Sequence, residues 1–130
     1  MKKLAAVLVL VASVNTFAAE PVLITASADG TAQFYGHPET FNADNGNLTM
    51  VVTMRERAST RFESSTHAQI GVTAYDCARG TGPLFTRPSL DVPWDRSGTV
   101  SMANPKTVAD QLAATLCKVA AEITKARVEI

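Results

Sequence analysis

The sequence has little cysteine, few aromatic residues and no excess of charge of either sign. Its 130 residues include two cysteines, one tryptophan and two tyrosines, and 12 basic residues balance 12 acidic ones. Nucleic acids and anionic lipids select strongly basic surfaces, so the balanced charge predicts neither as a partner. After the first twenty residues there is no second long apolar run, and nothing there predicts a membrane span.

The one long apolar run lies at the start of the sequence. Two lysines precede an apolar stretch at residues 4–14, which is shorter than a bilayer-spanning helix. Small residues follow it, as in a cleaved signal peptide. We expect cleavage after Ala18, because cleavage one residue later would put the bulky Phe17 at the −3 position. No cysteine follows the run, so no lipid anchor is expected. These features predict a signal peptide at residues 1–18, a single domain at residues 19–130, and a periplasmic or secreted bacterial protein.

The two cysteines, Cys77 and Cys117, would both enter an oxidising compartment. An even number of cysteines in an exported domain is typical of disulfide bonding, so we expect one bond between them. The alternatives are two free thiols or a metal pair. A metal pair needs additional ligands, and the sequence places none at metal-binding spacing.

The first half of the domain has the pattern of β-strands. Asp29-Gly30 separates the β-prone residues 22–25 and 31–35, which predicts a hairpin. Residues 37–47 resemble a loop that ends in an Asn45-Gly46 turn. Residues 47–57 alternate between apolar and polar, the pattern of a half-buried strand. Residues 58–65 are small, polar and charged, which predicts a loop, and residues 66–77 form the next predicted strand.

The second half ends in a helix. Short strands are predicted at residues 84–86 and 99–102. Asn104 and Pro105 suit the N-cap and the first helical position, and the helix should continue to about residue 126. Its apolar stripe consists of Val108, Leu112, Leu116, Val119 and Ile123. Cys117 lies beside this stripe, and Gly71 is expected to give the helix backbone room on the sheet. The predicted fold class is α+β: an antiparallel sheet of five to six strands with one C-terminal helix packed on it and one disulfide.

Several short motifs occur in a characteristic order. Tyr75-Asp76-Cys77 precedes a glycine-rich turn, then the single Trp94, then Asn104-Pro105 and a second cysteine. This order resembles the surface-adhesin protein E family of exported bacterial proteins. The resemblance implies a mostly antiparallel sheet, a disulfide between the two cysteines, and recognition of host matrix glycoproteins. The chain departs from that family in lacking a lipidation cysteine and in continuing as a helix to Ile130.

Catalytic and metal-binding patterns are not apparent. His37, in the predicted loop, and His67, on the polar face of a predicted strand, have no local ligand partner, whereas a zinc site needs three or four ligands together. The G-x-S-x-G elbow of serine hydrolases does not occur. We therefore expect neither enzymatic activity nor a cofactor or metal.

The candidate binding residues are basic and aromatic. They are Arg55, Arg57, Arg61, Tyr75 and Trp94. The arginines suit a sulfated glycan or an acidic partner, or they simply form a solvated face. The two aromatic residues are either exposed interface anchors or core residues. The predicted function is that of an exported, non-enzymatic binding protein with adhesin-like recognition of a host matrix glycoprotein or an envelope protein. The alternative is a periplasmic inhibitor or accessory factor of an envelope enzyme or complex, acting through the predicted loop at residues 58–65.

Overall fold

The computed structural model describes residues 21–58 and 61–129. The predicted signal peptide at residues 1–18 lies outside the described residues. Within the described ranges, none of the helices has the length and apolar character needed to cross a membrane.

The described chain forms one antiparallel sheet and two helices. The strands are β1 (Val22–Ala26), β2 (Ala32–Asp44), β3 (Asn47–Ala58), β4 (Arg61–Thr73), β5 (Thr81–Arg87) and β6 (Asp95–Ser101), and the helices are α1 (Ala74–Arg79) and α2 (Val108–Glu129). Each strand pairs with the next along the chain, so the sheet order is β1-β2-β3-β4-β5-β6. The predicted α+β fold, with a C-terminal helix packed on an antiparallel sheet, is confirmed.

The core lies between α2 and one face of the sheet. Side chains alternate along a strand, and on β3 Leu48, Met50 and Val52 are buried in the core. Leu112 and Leu116 of α2 belong to the same cluster. The predicted helical stripe is confirmed from Val108 to Val119, and α2 extends to Glu129 rather than ending near residue 126. The sheet face opposite α2, which we call the open face, carries the odd-numbered residues of β3 and their partners.

The predicted loop at residues 37–47 is wrong, because β2 continues as a strand to Asp44. Pro38 cannot donate to a neighbouring strand, and the pairing of β2 with β3 is interrupted between His37 and Asn42. The Thr40 hydroxyl bridges this irregularity: it donates to the His37 carbonyl at 2.6 Å and accepts from the Val51 amide at 2.9 Å. The Thr40 side chain thus gives the Val51 amide the partner that the β2 backbone does not supply, and β2 continues as a strand past Pro38.

The predicted loop at residues 58–65 is also wrong. β3 runs to Ala58 and β4 begins at Arg61, so the two strands form a long hairpin. Ser64 and Ser65 pair with Glu56 and Arg55. The described residues at this end of the hairpin are exposed. Because neither face of the sheet is buried there, the sequence lacks the alternation of apolar and polar residues that predicts the rest of β3.

The predicted strand at residues 66–77 ends at Thr73 and is followed by α1. The Thr73 hydroxyl accepts a hydrogen bond from the Asp76 amide at 3.1 Å, as an N-cap does. Gly80 ends the helix with a φ of 86°, a conformation that suits glycine. Tyr75 and Cys77 are therefore helical residues and not strand residues. The predicted disulfide is confirmed: Cys77 of α1 is bonded to Cys117 of α2.

The predicted N-cap at Asn104 is wrong, because α2 begins at Val108 and Thr107 caps it. The Thr107 hydroxyl accepts from the Asp110 amide at 3.0 Å. In return the Asp110 carboxylate accepts from the amides of Lys106, Ser101 and Thr107 at 3.0, 2.9 and 3.1 Å. These amide donors lower the pKa of Asp110 to about 2. Since Ser101 is the last residue of β6, this carboxylate ties the start of α2 to the sheet.

The Asp110 contacts predict a stability loss at acid pH. The folded pKa is below the ordinary value of 3.8, so the carboxylate stabilises the fold fully above about pH 4. This contribution is lost as the pH falls from about 4 to about 2. We expect Asp110→Asn to melt below the wild type at pH 7, and the difference in Tm to shrink over that interval. The pKa of Asp29 is also lowered to about 2, but Asp29 is present in both proteins. A Tm difference that stays constant from pH 7 to pH 2 would contradict the role of Asp110.

Candidate functional site: the open face of the sheet

A groove on the open face is built around Trp94. The segment between β5 and β6 returns across the sheet, and a Cβ placed on Gly71 would lie 3.4 Å from Cη2 of Trp94. Gly71 therefore gives room to Trp94 and not to the helix, and the predicted role of Gly71 is wrong. The reason is register: Gly71 follows Ile70 and precedes Val72, both of which point towards the core.

The groove has a volume of about 240 Å³. Its lining residues are Asn47, Leu48, Thr49, Gly71, Val72, Thr73, Phe85 and Trp94. Aromatic rings from two different elements, Phe85 of β5 and Trp94 of the following segment, stand on the same side of β4. Residues 47–49 of β3 and 71–73 of β4 form the remaining surface, and the groove is mainly apolar.

Arg87 holds a positive charge over the Trp94 ring. The guanidinium carbon lies 4.2 Å from the ring centroid, within the range of a cation–π interaction. The Arg87 Nε donates to Oε1 of Gln69 at 2.7 Å, and Nη1 donates to the Leu90 carbonyl at 3.4 Å. Trp94 nevertheless remains 36% exposed. A fixed cation and a partly exposed indole therefore stand together at the edge of the groove.

A second polar cluster on the open face joins two histidines through one hydroxyl. Nε2 of His37 and Nδ1 of His67 lie 2.6 and 2.7 Å from Oγ1 of Thr53. A hydroxyl carries one proton, so Thr53 donates to one ring and accepts from the other. Glu39 lies 3.7 Å from the other nitrogen of His37. His37 lies on a strand and not in the predicted loop, whereas His67 lies on β4 as predicted. Among the described side chains, no three His, Cys, Asp or Glu groups are placed to hold a metal ion.

The predicted binding arginines lie away from the groove. The Arg55 guanidinium carbon is 5.8 Å from the Tyr35 ring centroid on the open face. Ser65, the β4 partner of Arg55, is six residues from Gly71, which is about 20 Å along a strand. Arg57 is exposed near the end of β3. Arg61 begins β4 and pairs with Ala58, and its side chain lies outside the described part of the structure.

The two predicted aromatic residues are both accessible, but they do not form one site. Tyr75 is 70% exposed on α1, with the Arg79 guanidinium carbon 5.2 Å from its ring centroid. Of these two aromatic residues, only Trp94 lines the groove. Three residues at this site, Arg87, Gln69 and Phe85, were not identified from the sequence. Gln69 and Arg87 are register partners on β4 and β5, and that pairing has no local signal in the chain.

Searches against protein-family models, curated proteins and solved structures found no match to this chain. The resemblance to the surface-adhesin protein E family therefore stays a prediction, and a function has to be inferred from the geometry of the open face.

Proposed function

We propose that this protein is an exported binding module that recognises a protein partner on its open face. The observation that carries the proposal is the Trp94 groove: a partly exposed indole beneath a fixed arginine, beside a mainly apolar depression. Tryptophan and arginine are the residues most enriched among interface positions that dominate binding energy. The groove supplies both, at a position that α2 leaves uncovered.

The size of the groove favours a protein side chain over a small-molecule ligand. Pockets that enclose drug-sized ligands range from about 300 to 1,000 Å³, and this groove holds about 240 Å³. An apolar or aromatic side chain of a partner would fill it and lie against Trp94 and Phe85. Arg87 would then face acidic groups of the partner at the margin of the contact.

The compartment is part of the proposal. The Cys77–Cys117 bond is compatible with an oxidising extracellular or periplasmic space, and the basic and apolar start of the sequence supports export. The resemblance to adhesins supports a host matrix glycoprotein as the partner, and a periplasmic location would favour an envelope protein instead. Protease digestion of the tagged protein on intact cells, beside its release by osmotic shock, separates the two locations.

Replacing Trp94 by alanine should weaken binding to the partner about 30-fold or more, the effect of losing about 2 kcal/mol at a dominant interface residue. The measurement is biolayer interferometry against immobilised extracellular-matrix glycoproteins and purified envelope proteins. Trp94 is the single tryptophan of the sequence, so a shift in its emission on binding reports directly on the groove.

The matched control is Tyr75→Ala. Tyr75 is also an exposed aromatic residue beneath an arginine, but it lies on α1 and does not line the groove. Its replacement should leave affinity unchanged. If Trp94→Ala binds as tightly as the wild type while Tyr75→Ala loses affinity, the binding surface is α1 and not the open face.

A further inference from the structure

β4 is much longer than its pairing with β5. The strand has 13 residues, Arg61–Thr73, but β5 pairs only with Gln69, Ile70 and Gly71. On the other side, β3 pairs with β4 over nearly its whole length. Residues 64–68 therefore form a sheet edge beside which no strand of the described chain lies.

The free backbone groups at this edge can be assigned. In an antiparallel sheet each residue directs its N–H and C=O to the same neighbour, and successive residues alternate. The Val51 amide is directed to β2, where it bonds Thr40, so Val52 and Met54 direct theirs to β4. Their partners there are Ala68 and Thr66. His67 lies between those two partners and Ser65 precedes Thr66, so both direct their amides and carbonyls outwards, where no described strand pairs with them.

Residues 64–68 themselves lack the features that usually block pairing with another chain, and the bulge of the β3–β4 hairpin lies just before them, between Phe62 and Ser64. Charged residues, prolines and bulges protect sheet edges, but residues 64–68 read Ser-Ser-Thr-His-Ala and are extended. The outer edge of the sheet at β6 is different. It carries Asp95 and Arg96, and its pairing with β5 is irregular near Gly98, which has a φ of 122°. Residues 64–68 are thus an exposed and uncharged template for strand addition.

The occupant that fits is an extended segment and not a second copy of this chain. If two β4 edges paired antiparallel over residues 64–68, residue 63 of the second copy would lie beside Gln69, which is already paired with Arg87. The hairpin end of each copy would collide with β5 of the other. A single extended segment can turn away at Gln69 and avoids this collision.

The charge beside the edge favours an acidic segment. Arg55 is the β3 partner of Ser65 and Arg87 is the β5 partner of Gln69, so one arginine of the open face lies beside each end of this edge. An added strand would therefore place side chains at both ends of the contact near an arginine.

We propose that an extended acidic segment of a partner protein adds to the sheet as a strand along residues 64–68 of β4. The backbone groups of Ser65 and His67 supply the hydrogen bonds, as in other cases of strand addition. This contact goes beyond the proposed function, because it uses the edge of β4 and does not require the Trp94 groove.

The test is Ser65→Pro, with Ser65→Ala as the matched control. Proline at residue 65 replaces the outward N–H by its ring, and the fold does not use that N–H, so the Tm should change little. The probe is a fluorescent peptide of about six residues that alternates glutamate with valine, beside a peptide that alternates glutamine with valine. Fluorescence anisotropy measures affinity, and hydrogen exchange measures protection of the Ser65 and His67 amides.

We expect the glutamate peptide to bind the wild type and Ser65→Ala equally, and to bind Ser65→Pro about tenfold more weakly or not at all. Binding should slow exchange of the Ser65 and His67 amides, and the glutamine peptide should bind less tightly. Equal binding to Ser65→Pro, unchanged exchange at both amides, or no binding of either peptide would overturn the proposal. A dimer in sedimentation that Ser65→Pro abolishes would also overturn it, because a second copy would then occupy the edge.

Discussion

Replacing Cys77 and Cys117 by serine should lower the free energy of unfolding by about 4 kcal/mol. The bond spans 40 residues of sequence, and a loop of that length confers roughly this stabilisation by restricting the unfolded chain. Small domains are stable by about 5–15 kcal/mol in total. The variant should therefore have a markedly lower Tm and a large unfolded fraction at moderate urea concentrations.

The loss of stability without the disulfide should be largest at α1. This helix has six residues, and so short a helix is not stable without tertiary contacts. The disulfide attaches α1 to α2, and the serine variant lacks this attachment. We therefore expect the α1 amides of the variant to exchange with solvent much faster than the amides of β3. The control is the reduced wild type, which should melt with the double variant. An unchanged Tm under non-reducing conditions would contradict a structural role for the bond.

The sequence predicts those elements in which one side is buried and the other is exposed. β3 alternates because Met50 and Val52 lie under α2, and α2 carries a stripe because Leu112 and Leu116 face the sheet. The exposed end of the β3–β4 hairpin has no buried side, so its residues resemble a loop. β2 was missed at Pro38 because a hydroxyl, which no periodic pattern reveals, replaces a backbone partner there.

The candidate site was less predictable than the fold, because it depends on register. Trp94 was identified as a candidate from its type, but its position over Gly71 follows only once β4 and β5 pair. Arg87 and Gln69 meet for the same reason. Arg55 and Arg57 stood out because they are close in sequence, yet the structure places the groove about six residues further along the neighbouring strand. Proximity in the chain is a poor guide to a site that is assembled across strands.

The arrangement of α2 leaves one face of the sheet accessible for the binding that we propose. The helix and its disulfide cover the core face, where Met50, Ile70 and Leu116 are fully buried. No helix of the described chain covers the open face. Its larger side chains are held instead by contacts among themselves, such as Arg87 with Trp94 and Thr53 with the two histidines. A partner that binds there would not need to displace any part of the fold.

Replacing Leu116 by alanine should cost about 3–5 kcal/mol of unfolding free energy. Leu116 has no exposed surface and lies at the centre of the contact between α2 and the sheet. Removing a fully buried leucine side chain loses its transfer free energy and leaves a cavity that the surrounding residues fill only in part. Chemical denaturation of the wild type and the variant, with the disulfide intact in both, measures this difference.

Leu90→Ala is the matched control, because Leu90 is 73% exposed and its loss should change stability by less than about 0.5 kcal/mol. Below its melting temperature, the Leu116→Ala variant should still bind a partner at the Trp94 groove, since Leu116 faces the opposite side of the sheet. Two results are thus expected from one protein: a large loss of stability and unchanged affinity at a temperature where it is folded. If Leu116→Ala is as stable as Leu90→Ala, α2 does not pack on the sheet as the structure indicates. The distinction between a covered face and an open face would then be wrong as well.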